Sequence, residues 1–175
     1  MKQLGLENAK ELTCPAADEP VHADDGKELN QQYTTQYKSI VARTNYLSMD
    51  RPDIQFAVEK LATSMAKPTN RNWQELKRLR RYLKGKPILV IKYDWQNPTA
   101  TITAHSDSDW AGDKKSRKST SGGCIMVDDH LLKTWSKTQS LLALSSGERE
   151  FYGALKASAE GLGMLPVMKD LNWYM

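Results

Sequence analysis

The chain has 175 residues, 39% of them hydrophobic, and carries a formal net charge of +4. That length makes one ordinary domain or two small ones, large enough to bury a core. No apolar run approaches the roughly 20 residues of a membrane span, so no membrane partner is expected.

The N-terminus, Met1 to Asn8, lacks a secretory apolar stretch, which predicts an intracellular protein, cytoplasmic or nuclear. Cys14 and Cys124 stand alone, and His22, His105 and His130 are scattered, so neither a zinc cluster nor a disulfide scaffold is indicated. Residues 1–33 are acidic, contain Pro and Gly, and show no apolar periodicity; they read as a poorly ordered lead-in.

A helical segment is expected over 34–86. Tyr37, Ile40, Val41, Thr44 and Leu47 recur at helical spacing. Asp50-Arg51-Pro52-Asp53 interrupts, because the residue before Pro is pushed out of the helical region while Pro itself suits a first turn. Ile54, Ala57, Val58, Leu61, Ala62 and Met65 then mark a second helix. Lys67-Pro68-Thr69-Asn70 breaks the chain again. A third helix turns Trp73, Leu76, Leu79, Tyr82 and Leu83 inward and should end at Gly85, a residue suited to the left-handed position after a helix.

The periodicity shifts after Gly85, and 87–175 reads as a strand-rich segment closed by a helix. Ile88 to Tyr93 is β-branched and bounded by Pro87 and Pro98, as a strand would be. Thr101 to Ser106, Gly122 to Val127 and Leu131 to Ser136, the last two joined at Asp128-Asp129-His130, predict a three-strand antiparallel meander. Leu141 to Leu144 fits a short extended stretch. Ser145 and Glu148 have the spacing of a capping box at the start of the last helix. Its expected buried stripe is Phe151, Ala154, Leu155, Ser158 and Leu162, with Gly161, Gly163 and Pro166 weakening the far end.

Two runs carry chemistry: Ser106-Asp107-Ser108-Asp109-Trp110-Ala111-Gly112-Asp113 and Ser145-Ser146-Gly147-Glu148-Arg149-Glu150-Phe151. Carboxylates from a strand end and a facing helix are what a divalent-metal phosphodiester site needs, since Mg²⁺ prefers hard oxygen ligands. Two basic groups accompany them. One lies on the third helix, with Lys77, Arg78, Arg81 and Lys84; the other follows the acidic run, with Lys114, Lys115, Arg117 and Lys118. These are a solvated surface on one reading and phosphate contacts on the other. Trp110 is expected to pack and not to stack on bases.

The runs Tyr37 to Val41, Tyr46 to Val58 and Asn72 to Gly85 resemble the C-terminal part of a copia-type retrotransposon reverse transcriptase. Ser106 to Asp113, Arg117 to Gly123 and Ser145 to Phe151 resemble the start of the ribonuclease H domain of the same Pol polyprotein. The resemblance covers nearly the whole chain. It implies an α+β or α/β fold class: a helical, thumb- or connection-like reverse-transcriptase tail, then a truncated ribonuclease H-like fold of a three-strand antiparallel meander and its first helix. It also implies cleavage of the RNA strand of RNA–DNA hybrids with Mg²⁺ or Mn²⁺ held by Asp107 and Glu150, while Glu148 caps the helix.

The polymerase signature Tyr-x-Asp-Asp does not occur, and the family's later aspartates are expected past Met175. The metal is therefore expected to bind weakly or not at all, and the fragment to be inactive alone. The expected partners are RNA–DNA hybrid or duplex and the remainder of the Pol polyprotein. Two other readings stand beside this one: an inert nucleic-acid-binding fragment, and a decayed transposon remnant without independent function.

Overall fold

The computed structural model describes residues 8–17, 24–97, 101–109 and 117–172, and the chain divides into two compact units at Val90/Ile91. In the first, helix α1 spans Gln31–Leu47 and starts three residues earlier than apolar spacing predicts, because the Asn30 side chain accepts the Tyr33 N–H at 2.9 Å and nucleates the first turn. A single 3-10 turn, Pro52–Ile54, leads into α2, Gln55–Thr63. Helix α3 spans Asn70–Gly85 and opens where Thr69 donates its N–H and its hydroxyl to Asn72 Oδ1, both at 3.0 Å.

The three helices close on Tyr37, Val41, Ile54, Val58, Leu61, Leu76 and Leu79, all almost fully buried. Tyr37 donates its hydroxyl to the Leu61 carbonyl at 2.8 Å, and burial, reinforced by Glu75, pushes its pKa up. Gly85 does not play the expected terminating role. It is the last helical residue, and Lys86, with φ −129°, caps the helix by donating its N–H to the Tyr82 carbonyl at 2.9 Å.

Lys86 precedes Pro87, which pushes it out of the helical region, and a charge network holds the chain there. Arg51, only 6% exposed, donates to both Asp53 carboxylate oxygens, at 2.9 and 2.8 Å, and to the Lys86 carbonyl at 3.0 Å. The Tyr82 hydroxyl donates to Asp53 Oδ2 at 2.7 Å. The Arg51 hydrogen bond holds the Asp53 carboxyl below its ordinary range, while burial and then Asp53 raise the Tyr82 phenol.

The stretch expected as a lead-in meets this unit at two places. Leu29 N–H donates to the Pro68 carbonyl at 3.0 Å and Asn70 N–H to the Lys27 carbonyl at 2.9 Å. Residues 9–12 hydrogen-bond to α3.

Ile88 to Tyr93 is not a strand. Among the described residues it pairs with no neighbouring strand, and Val90 is 82% exposed; β-branched residues give a strand only where a neighbouring backbone completes the ladder. Leu141 to Leu144 likewise forms no strand among the described residues. In the second unit β1 (Ile102–Ser108), β2 (Thr120–Val127) and β3 (His130–Thr138) form the expected antiparallel meander in the order β1-β2-β3. The register sets Asp107 opposite Gly122 and Ser108 opposite Ser121. Asp128, at φ +47°, turns β2 into β3.

Helix α4, Ser146–Asp170, runs through Gly161, Gly163 and Pro166 for 25 residues, beyond the expected weak end. Its expected stripe is out of phase: Phe151, Leu155 and Leu162 are exposed, and Gly153, Ala157 and Met168 are buried. Small residues win this face because the helix lies close on the sheet. A Cβ at Gly153 would stand 2.6 Å from Ser108 Oγ.

Candidate functional site

Gly153 packs over Ser106, Ser108 and Ser121, so alternation along β1 sends Ser106 and Ser108 toward α4 and Asp107 to the opposite side of the strand. Asp107 is exposed, and its Oδ1 accepts the Ser108 N–H at 2.8 Å. Glu150, the fifth residue of α4, is also exposed. Its Oε1 faces Arg149 Nη2 at 3.3 Å and Ser146 Oγ at 3.5 Å. Both carboxylates belong to the same end of the β1–α4 layer, but among the described residues they share no partner.

Glu148 is committed elsewhere. Its Oε2 accepts the Leu144 N–H at 2.7 Å, its Oε1 accepts the Tyr152 hydroxyl at 3.0 Å, and its own N–H donates to Ser145 Oγ at 3.1 Å. The cap therefore reaches Leu144, one residue before the partner a strict capping box would use. The hydrogen bond to Glu148 raises the Tyr152 phenol.

A residue that periodicity does not single out ties this end together. Gln139 Nε2 donates to Ser121 Oγ at 2.7 Å and to the Arg149 carbonyl at 3.0 Å, and reaches Ser108 Oγ at 3.5 Å. One carboxamide thus joins the strands beside Asp107 to the turn that carries Glu150. Ser108 and Ser121 hydroxyls pair at 2.8 Å beneath it. Its only mark in the sequence is that of a polar residue directly after a strand, which is too common to single out.

A divalent metal pair makes a stringent demand on this donor set. Among the described residues no three His, Cys, Asp or Glu side chains come together to hold an ion. Asp109 is engaged by its own sheet, accepting the Thr120 N–H at 2.5 Å. The described residues do not fit a two-metal cage, which needs several carboxylate oxygens around each ion.

Of the basic residues, Lys77, Arg78, Arg81 and Lys84 all lie on α3, each only half exposed. Arg81 Nε donates to the Lys10 carbonyl at 2.6 Å and Lys84 Nζ to the Ala9 carbonyl at 3.0 Å. Arg117 is exposed with φ +59°, and Lys118 is half buried. Lys114, Lys115 and Trp110 lie outside the described residues. Among those described, no helix is long and apolar enough to cross a membrane.

The chain is 38% identical over 173 residues to the retrovirus-related Pol polyprotein from transposon RE1 of Arabidopsis thaliana, covering 98% of this chain and 12% of that protein. To the corresponding polyprotein from transposon RE2 of the same plant it is 36% identical, over the same shares. It is also 36% identical over 127 residues to secreted RxLR effector protein 161 of Plasmopara viticola, covering 72% of this chain and 89% of that protein. The chain thus spans 12% of the length of each of the two polyproteins. No family model and no solved structure matches it.

Proposed function

We infer the function from one premise: the chain belongs to the retrovirus-related, copia-type Pol polyproteins of transposons. We propose that its helical unit is the reverse-transcriptase tail that grips template–primer duplex, and that its sheet unit is the first part of a ribonuclease H-like domain. The ancestral role is removal of the RNA strand from RNA–DNA hybrids during reverse transcription. Asp107 and Glu150 are the carboxylates that would serve that chemistry. Among the described residues no third ligand stands beside these two, and the reading we favour for this chain is that it binds hybrid without cutting it.

The observation that carries the binding reading is the division of labour on α3. Trp73, Leu76, Leu79 and Tyr82 fill the core while Lys77, Arg78, Arg81 and Lys84 are held on the same rigid helix outside it. Cations at that spacing meet phosphates without reading bases, so binding should be indifferent to sequence and steeply dependent on salt. In a titration of RNA–DNA hybrid, replacing Lys77 and Lys84 with Gln should flatten the slope of log K against log salt, by about 0.9 for each phosphate no longer neutralised. A chain that shows no affinity for hybrid even at low salt would end this reading. Cleavage of hybrid by the purified chain in Mg²⁺ would end the claim that it is inert.

A further inference from the structure

The basic face of α3 already has an occupant. Segment 8–17 runs antiparallel to the helix: the Ala9 carbonyl accepts from Lys84, the Lys10 carbonyl accepts from Arg81, and Pro15, Ala16 and Ala17 share a recess with Arg78. The Leu12 N–H reaches the Arg81 carbonyl at 3.5 Å. Glu11 lies over the last turn, where a Cβ on Gly85 would stand 3.2 Å from Glu11 Cβ and 3.3 Å from its Oε2. Two of the four α3 cations proposed to meet phosphates therefore donate to this segment instead, and a third, Arg78, lines a recess with it. The surrounding sequence has the matching sign, with Glu7, Glu11, Asp18 and Glu19 against Lys2 and Lys10.

We propose that residues 8–17 are a self-strap that occupies the nucleic-acid face of α3 and is displaced when a phosphate backbone binds. The proposal rests on the binding function inferred above and adds its regulation. The chemistry favours displacement over permanent cover. A peptide carbonyl offers these cations a neutral acceptor, whereas a phosphate oxygen adds an opposite charge and can take an arginine through two parallel bonds. The strap would then hold the cations in place when hybrid is absent and lower the apparent affinity by the fraction of time it stays closed.

The Glu11–Gly85 approach provides the test. Glu11→Cys with Gly85→Cys puts two Cβ atoms within a few tenths of an ångström of the 3.5–4.5 Å that a disulfide requires, and Cys14→Ser removes the exposed native thiol. Oxidised, this variant should bind a short RNA–DNA hybrid about tenfold more weakly than when reduced, and the reduced form should match its Cys14→Ser parent. Equal binding by the oxidised and reduced forms, with the parent also binding, would overturn the strap and leave the nucleic-acid reading intact. No binding by any form, parent included, would overturn both. Should the disulfide fail to form, hydrogen exchange in the unaltered chain decides. Amides of 8–17 should exchange faster with hybrid present, and unchanged or slower exchange would refute displacement.

Discussion

The helical unit and the sheet unit use their large side chains in opposite ways. In the first, Tyr37, Ile54, Leu61, Leu76 and Leu79 converge between three short helices, and even the charged pair at Arg51 and Asp53 is satisfied within the unit. In the second, Ile125 and Val127 are buried, but α4 lies on the sheet through Gly153 and Ala157 while Phe151, Leu155, Leu162 and Leu165 face solvent. Apolar residues at helical spacing are thus a core in one unit and a surface in the other. The resemblance to the transposon polyproteins runs over 98% of the chain and so spans both units, and burial is what tells them apart.

The sharpest way to break the comparison is at the Arg51–Asp53 pair. Asp53→Ala leaves a buried guanidinium without its carboxylate and should cost the helical unit about 3–5 kcal/mol. Denaturant unfolding monitored on that unit reads the loss directly. The pair also sets a pH dependence. Asp53 has its folded pKa lowered, so its contribution is full above the unfolded carboxylate range, near pH 4, and disappears as pH falls through the folded value. A helical unit that loses stability between pH 7 and 5 would contradict this assignment.

Next in size is a pair of identical truncations. Leu79→Ala should cost about 2–5 kcal/mol, since it opens a cavity in a fully buried position. Leu162→Ala, at 65% exposure, should stay within about 0.5 kcal/mol. Similar losses at the two sites would mean that α4 buries this face in solution.

A smaller effect is expected at Gln139. Gln139→Met keeps the length and removes the donor, leaving the Ser121 hydroxyl and the Arg149 carbonyl to find other partners, at a cost of about 1–3 kcal/mol. The loss should appear in the sheet unit alone. A shift in the helical unit's transition would show that the two do not melt separately.

The same contrast explains what is legible in the sequence. Helices α2 and α3, the three strands and their turn follow from local periodicity and turn residues, which each segment carries within itself. The start of α1 depends on one side-chain bond from Asn30, and the Lys86 carbonyl just past α3 accepts from an arginine 35 positions away in the chain, Arg51. Ile88 to Tyr93 has strand chemistry but no partner ladder among the described residues, which no local pattern reveals. Apolar counting misphases the α4 stripe because it weighs large residues, while close helix–sheet contact selects small ones. For the site, the motif resemblance points to Asp107 and Glu150, whereas Gln139 and the 8–17 strap are products of tertiary contact.

The smallest expected effect tests whether electrostatics can do for the sheet unit what apolar packing does for the helical one. Glu160 accepts from Lys133 at 2.6 Å and from Lys156 at 2.9 Å, joining β3 to α4, and Lys156 lies over the Trp135 ring. Lys133 and then Lys156 hold the Glu160 carboxyl below its ordinary range. Both lysines remain substantially exposed, at 47% and 33% of their side chains, so solvent screens the pairs. Glu160→Gln should then cost roughly 0.2–1 kcal/mol per pair. The sign follows from the lowered pKa: the contribution is present above the unfolded glutamate range and is lost as pH falls through the folded value. High salt should erase most of it, because exposed charges are screened within about 8–10 Å at physiological ionic strength and closer still in stronger salt. A loss of several kcal/mol that persists in high salt would mean that this triad, and not the small-residue contact at Gly153, fastens α4 to the sheet.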